Sequence, residues 1–366
     1  MLPAAPCRKD YVFESEGGFL YDDRGIAVLD LHGSWHKMGR QYGILSADRT
    51  ADVLNYLDKK LGGSTGKTAS AYELAGKLYA NYPKHYKDFF EGMAETSGLS
   101  LERLQLCNAV EYVEGLFFCS AMAAWGDYSG GKLVFGRNYD AESYKEIDKD
   151  IIVTVYHPDD GLAAATIGYA GEIYCVNGLN EKGIFVELNN GMPSAGYDLH
   201  WELCPGTTAL MDVLSRAESL DDMDRFFHET RSSGSFIINV ADRHEAISYE
   251  WCYDGVRRIN GMTPEGLMAS TNHYVSPQWD FPTPEDPESW NSITRRCNLL
   301  KRAEEFKGDI GVSRMKAVMG TTIDDGGPWH HLTRYQIIAV PEDMTLHINI
   351  PDIGHWAELN MSRYLI

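Results

Sequence analysis

Three residues have the types and spacing to act as one chemical unit. In Phe117-Phe118-Cys119-Ser120-Ala121-Met122 a thiol stands at the head of a β-like run, and Val134-Phe135-Gly136-Arg137-Asn138-Tyr139-Asp140 follows after a turn at Asp127 to Gly131. Two such runs joined by a glycine-bearing turn read as a hairpin, which lays the second strand beside the first. Cys119, Arg137 and Asp140 then come within reach of one another. A neighbouring cation favours the thiolate, the nucleophilic form of cysteine, and a carboxylate can orient an amine or a guanidinium. The trio could therefore make an activated nucleophile, whereas a core cysteine beside a surface Arg–Asp pair is the plainer reading of the spacing alone.

Other candidate motifs fit their chemistry less well. Gly62-Gly63-Ser64-Thr65-Gly66-Lys67-Thr68 looks like a phosphate loop, but Leu61 stands where the spacing needs glycine and a helical pattern, not a strand, precedes it. A nucleotide-dependent enzyme would need that loop. His330-His331 are adjacent and cannot share a helix face or a strand face. His32 and His36 have the spacing of a helical ligand pair, but Gly33 interrupts them at a strand end. The seven cysteines, Cys7, Cys107, Cys119, Cys175, Cys204, Cys252 and Cys297, include no C-x-x-C pair and are odd in number, so neither a thiolate zinc site nor a disulfide framework is expected. No metal and no cofactor is expected. The Asn-x-Ser sequon at Asn360 carries almost no weight.

The elements that would position the trio can be read from periodicity. Tyr11 to Gly33 breaks into a short strand, a turn at Asp22 to Gly25 and a strand over 26–31. Apolar residues recurring at three and four predict one helix over 36–61, then helices over 69–82, 85–96 and 100–114, the last capped by Ser100. Short β-like runs follow at 119–124, 132–137, 150–157, 162–168, 173–177 and 183–189. Helices are expected at 206–217 and 220–230, strands at 235–241, 245–251, 256–259 and 267–271, a helix over 290–306, and a hairpin at 334–341 and 344–349. Pro277 to Ser289, with Pro282, Pro284 and Pro287, is a surface loop. Runs of strands interrupted by helix pairs argue for an α+β fold with helices on the sheet faces.

The same residues resemble a known group. Cys119-Ser120 with Gly136-Arg137-Asn138-Tyr139-Asp140 resembles the start of the mature chain in the choloylglycine hydrolase and penicillin V acylase group, which are N-terminal nucleophile hydrolases. Asn177-Gly178-Leu179-Asn180-Glu181-Lys182-Gly183-Ile184, with Leu188-Asn189-Asn190 beyond it, is similar to that group's segment leading to its oxyanion asparagine; Thr271-Asn272 looks like its second active-site asparagine. In the first 118 residues, Gly33-Ser34-Trp35-His36-Lys37-Met38-Gly39-Arg40-Gln41-Tyr42-Gly43 and Phe90-Glu91-Gly92-Met93-Ala94-Glu95-Thr96-Ser97-Gly98-Leu99 resemble the acyl-CoA:6-aminopenicillanate acyltransferase family. So does the start of the helix carrying Asn108 and Glu111. Ser120 stands where threonine is usual, and Phe118 where the acyltransferases typically have glycine.

The resemblance implies an αββα four-layer sandwich, self-cleavage between Phe118 and Cys119, and retention of residues 1–118 as a small subunit beside a core of residues 119–366. It implies that Cys119 attacks an amide and forms a thioester, Asp140 holds the new α-amine, Arg137 favours the thiolate, and Asn190 stabilises the oxyanion. Asn189 competes with Asn190, since neighbouring strand residues face opposite sides. Asn272 would orient the amine. The remaining arginine falls in Ser292-Ile293-Thr294-Arg295-Arg296, with Arg295 preferred and Arg296 open. Freeing the α-amine matters because its pKa of roughly 7.7–8.0 suits a general base.

The expected activity is that of an amidohydrolase or acyltransferase acting on a linear amide of a small or lipid-like N-acyl compound. An uncleaved, non-catalytic binding relative is the alternative. Tyr112, Phe117, Trp125, Tyr139, Tyr144, Tyr169 and Trp201 could line an acyl pocket. With 53 acidic against 33 basic residues, the net charge of −20 repels nucleic-acid phosphates, so nucleic acid is not an expected partner. No apolar run is long enough for a membrane span. The start lacks a signal peptide's apolar stretch, which points to the cytoplasm if that start is native and to export if a leader has been removed. A homo-oligomer stays open.

Overall fold

A computed structural model describes residues 10–62, 65–109, 112, 118–141, 145–260, 266–286, 290–351 and 353–366. Of the residues singled out above, Cys7, Gly63, Ser64, Glu111, Phe117, Tyr144, Pro287 and Ser289 lie outside these.

Chain order begins with β1 (Asp10–Ser15), β2 (Gly18–Asp23) and β3 (Ile26–Gly33), then α1 (Trp35–Leu45), α2 (Ala47–Leu61), α3 (Thr65–Ala80), α4 (Lys84–Ser97) and α5 (Leu101–Cys107). After Cys119 come β4 (Ser120–Ala124), β5 (Val134–Asp140), β6 (Ile151–Pro158), β7 (Ala164–Tyr169), β8 (Asn177–Asn180) and β9 (Phe185–Asn190). The chain continues through α6 (Gly206–Leu214), α7 (Leu220–Glu229), β10 (Phe236–Ala241), β11 (Ala246–Cys252), β12 (Gly255–Asn260) and β13 (Leu267–Ser270). It closes with α8 (Ser292–Glu305), α9 (Val312–Met319), β14 (Thr333–Val340), β15 (Thr345–Asn349), β16 (Trp356–Asn360) and a helical turn, Ser362–Leu365.

Two sheets result. The larger has the order β1-β2-β3-β6-β7-β8-β9-β10-β11-β12 and the smaller β13-β4-β5-β14-β15-β16. Helices α1, α6 and α7 pack on the larger sheet, and α8 and α9 on the smaller. Side chains bridge the sheets between these helical layers: Arg137 of β5 reaches Glu187 of β9, and Asn177 of β8 reaches Tyr335 of β14. The architecture is α+β in four layers, αββα, as expected.

The large sheet is completed by the segment that precedes Cys119. β3 pairs in parallel with β6 over seven registered positions from Ala27↔Ile152 to Gly33↔Pro158. Its buried face is locked by the crossing of α1 and α4, where glycines permit backbone contact. A Cβ on Gly39 would lie 2.0 Å from the carbonyl oxygen of Phe89, and one on Gly92 would lie 2.1 Å from that of His36. Both glycines sit in the motifs that carried the resemblance, so their meaning there is close helix packing.

Several expectations change in detail. The helix expected over 36–61 is two helices, because Ser46 leaves helical geometry (φ −120°, ψ 9°) and its hydroxyl bonds the Tyr42 carbonyl. The helix expected over 100–114 is α5, which ends at Cys107 and is closed by Asn108. The strand expected over 173–177 is irregular: Ile173 N–H donates to Asn108 Oδ1 and Cys175 N–H to the Thr207 carbonyl, so these donors leave the ladder, and β8 begins at Asn177. The turn expected at Asp127 to Gly131 contains a helical turn, Gly126–Ser129. Helix α9 and strand β16 were not foreseen.

Candidate active site

The β4–β5 hairpin positions the trio as its pattern implies. Antiparallel register sets Ala121 opposite Arg137 and Ser120 opposite Asn138, so Arg137 lies on the same face as Cys119, two residues before Ala121. Arg137 Nη2 is 3.3 Å from Cys119 Sγ and 2.9 Å from the Leu188 carbonyl oxygen. Its Nη1 donates to Asn189 Oδ1 at 2.9 Å and to Glu187. Cys119 is 1% exposed and Arg137 fully buried.

A second arginine approaches from the other side. Arg295, on α8, donates from Nη1 to the carbonyl oxygen of Cys119 at 2.8 Å and from Nη2 to Asn272 Oδ1 at 2.8 Å. The same Nη1 is 3.8 Å from Asp140 Oδ2. Arg296 turns away, donating from Nε to the Ala269 carbonyl. Asn272 Nδ2 donates to the backbone carbonyl of Asn190 at 2.9 Å, and Asn272 N–H to Ser292 Oγ at 2.7 Å. Of the two asparagines at the end of β9, Asn189 directs its side chain to Arg137 and to Ser270, whereas Asn190 Oδ1 accepts from the Met192 N–H.

Burial dominates the electrostatics. It pushes the Cys119 thiol up to about 12, although the Arg137 guanidinium pulls the other way. Such a thiol needs a base to become a nucleophile. Asp140 is pushed up to about 6 by burial against the opposing pull of Arg295 and of a 2.6 Å hydrogen bond from Thr333 Oγ1. Its Oδ2 has no hydrogen-bond donor among the described residues. Phe118, immediately before Cys119, is buried, with its N–H on the Asp140 carbonyl at 2.9 Å and its ring stacked on Trp290 at 3.3 Å.

Cys119, Arg137, Asp140, Asn272 and Arg295 thus converge, with Asn190 tied to them through its carbonyl. The family model for acyl-coenzyme A:6-aminopenicillanic acid acyl-transferase matches residues 128–305. This chain resembles that acyltransferase family. The match covers a little under half of the chain, holds Arg137, Asp140, Asn190, Asn272 and Arg295, and begins after Cys119. Among curated proteins none matches. Similar solved structures include a Caenorhabditis elegans N-acylethanolamine-hydrolyzing acid amidase ortholog, 16% identical at a TM-score of 0.48, covering 61% of this chain and 93% of that one. A mutant conjugated bile acid hydrolase from Clostridium perfringens is 12% identical at a TM-score of 0.46, covering 67% and 93%. Penicillin V acylase from Agrobacterium tumefaciens is 11% identical at a TM-score of 0.44, covering 67% and 87%.

Sequence reasoning missed the outer support of this acyltransferase-like site. Glu187 pairs with Arg137, and burial pushes it up to about 7 against that pull. Asn239 donates to Glu187 and to Ser270 Oγ, and Thr333 and Ser292 hold Asp140 and Asn272. One signal was readable: in Phe185-Val186-Glu187-Leu188-Asn189 the polar residues alternate, so a buried strand carries two polar groups on one face. Of the aromatic residues expected around an acyl pocket, Phe117 and Tyr144 lie outside the described residues, and three of the others do not gather in one place. Tyr139 lies beside the Arg137 guanidinium at 5.6 Å, while Trp201 is 39% exposed and Tyr169 donates its hydroxyl to Asp148.

Proposed function

We propose that the protein is a self-processing cysteine amidohydrolase or acyltransferase that cleaves a linear amide of a small or lipid-like N-acyl compound through a thioester at Cys119. The observation that carries this reading is the 3.3 Å approach of Arg137 Nη2 to Cys119 Sγ, with Arg295 bonded to the carbonyl of the same residue. The match to an acyltransferase family model supports it.

In the intact chain Cys119 Sγ attacks the carbonyl carbon of Phe118. An S–C bond forms, the C–N bond between the two residues breaks, and the nitrogen leaves as the α-amine of Cys119. Water resolves the thioester and leaves a carboxylate on Phe118. Residues 1–118 stay bound as the small subunit. In turnover that α-amine accepts the thiol proton as Sγ attacks the substrate amide. The ammonium is held by Asp140 and returns its proton to the departing amine. Asn190 stabilises the oxyanion, with Asn189 as the competing donor, and Asn272, itself held by Arg295, orients the α-amine. Water then gives hydrolysis, and a second amine gives acyl transfer. Asp140 Oδ2, which has no hydrogen-bond donor among the described residues and only the Arg295 guanidinium 3.8 Å away, and the thiol's need for a base both fit this scheme.

Denaturing intact-mass spectrometry tests it. Fragments of roughly 13 and 28 kDa, with cysteine at the new N-terminus, are expected from the 41.0 kDa chain. A persistent 41.0 kDa species that a thiol-reactive acyl probe fails to label would overturn the reading in favour of a non-catalytic binding relative.

A further inference from the structure

The spacing of His32 and His36 hints at a ligand pair, but the fold separates them. His36 lies in the first turn of α1 and faces Glu95 at 3.1 Å. His32 instead lies directly opposite His157 in the parallel β3–β6 register, with Asp30 two residues earlier on the same face of β3. The two imidazoles stack with centroids 4.3 Å apart and planes 9° apart. Both turn their Nε2 atoms toward one oxygen: His32 Nε2 is 3.1 Å and His157 Nε2 3.0 Å from Asp30 Oδ1. All three candidate ligand atoms lie within 4.8 Å of one another.

We propose that Asp30, His32 and His157 form a binding site for a borderline divalent cation of the Zn2+ or Co2+ class on the β3–β6 pair of the large sheet. Imidazole nitrogens with one carboxylate are the donors such ions prefer. A tetrahedral ion with bonds of about 2.0–2.1 Å spaces its ligand atoms about 3.3 Å apart, close to the two Nε2–Oδ1 separations seen, and the stacked rings must rotate out of parallel for both in-plane lone pairs to meet one ion. The supporting shell is built as well. The buried side chain of Gln41 clasps the backbone of His32, accepting from its N–H at 2.8 Å and donating to its carbonyl at 3.0 Å. Such outer contacts fix the orientation of a ligand. The side chains of His32 and His157 are 40% and 24% exposed, which provides an entry path and leaves room for water to complete the coordination.

The location gives the site a purpose. Asp30 and His32 belong to the segment before Cys119, and His157 to the segment after it. A bound ion would tie the two segments together at the parallel β3–β6 joint of the large sheet. Metal binding itself does not depend on cleavage; its role as a tie between subunits rests on the self-processing reading.

The test uses the full chain, stripped with a chelator and titrated with Zn2+ by calorimetry and with Co2+ by visible absorption. One ion per chain and the d–d bands of low-coordinate Co2+ are expected. Both should be lost in His157→Gln and in His32→Asn, the latter a half-exposed position where folding is not at stake, with unchanged circular dichroism as the control. Absence of saturable binding, or binding of equal affinity in both variants, overturns the proposal. If Zn2+ binds while the chain stays at 41.0 kDa, the site stands and the cleavage reading fails. If the chain is cut, Zn2+ should raise the denaturant concentration that separates the fragments in the wild type but not in His157→Gln.

Discussion

Beneath α1 and α4 the chain buries Met38, Tyr42, Phe89, Phe90 and Met93, while around Cys119 it buries Arg137, Glu187, Asn189, Asp140 and Arg295 to the same degree. The first layer is held by shape: apolar side chains fill the space around two glycines that let backbones touch. The second is held by charge pairing and hydrogen bonds. Buried ion pairs return little net stability after desolvation, so their concentration in one place is better understood as preparation for chemistry. Equal burial thus conceals unequal purposes, and substitutions in the two layers should fail in different ways.

The largest effect is expected at the proposed nucleophile. Cys119→Ala should lose turnover by at least about ten-thousandfold and remain a single 41.0 kDa chain, while its melting temperature stays near that of the intact precursor. Retained amidase activity would remove the contrast altogether. Next, Arg137→Met should abolish activity and also cost about 3–5 kcal/mol in denaturant unfolding, because Glu187 is left buried without its partner. Pairing it with Glu187→Leu should restore much of the stability and none of the activity; recovery of both would mean that the pair is only structural.

A smaller effect, of the opposite kind, is expected in the helical layer. Gly92→Ala forces a Cβ to within 2.1 Å of a backbone oxygen and should destabilise by about 1–3 kcal/mol, with kcat per folded molecule unchanged. A lowered kcat would show that the two layers are coupled. The mildest test is pH. The α-amine base loses its free form below roughly 7.7–8.0, and Asp140, pushed up to about 6 by burial, must be ionised to hold the ammonium, so the acid limb of kcat/KM should steepen as pH drops through about 6. An acid limb whose slope does not change through that value would detach Asp140 from the α-amine.

What the sequence made legible follows from how local each signal is. The β4–β5 hairpin was readable because two β-like runs and a glycine-rich turn are contiguous, and Asn272 and Arg295 through resemblance to a family. The break at Ser46 was hidden because the apolar period runs through it unchanged, and only the hydroxyl's bonds to Tyr42 and Thr50 reveal it. Glu187 was missed as a partner because its ion pair joins β9 to β5, and nothing local reports which strands face each other across a sandwich. The same cause hid His157, which meets His32 only through a parallel pairing of strands far apart in sequence.

That pairing has a consequence for handling the protein. Along β3 and β6 the two segments share a row of backbone donors and acceptors, and β1, not β6, ends the large sheet on that side. Stripping away the earlier segment would bare the flank of β6, a largely apolar strand of the kind that recruits other chains into aggregates. Residues 119–366 expressed alone should therefore precipitate, and the same residues co-expressed with 1–118 should stay in solution.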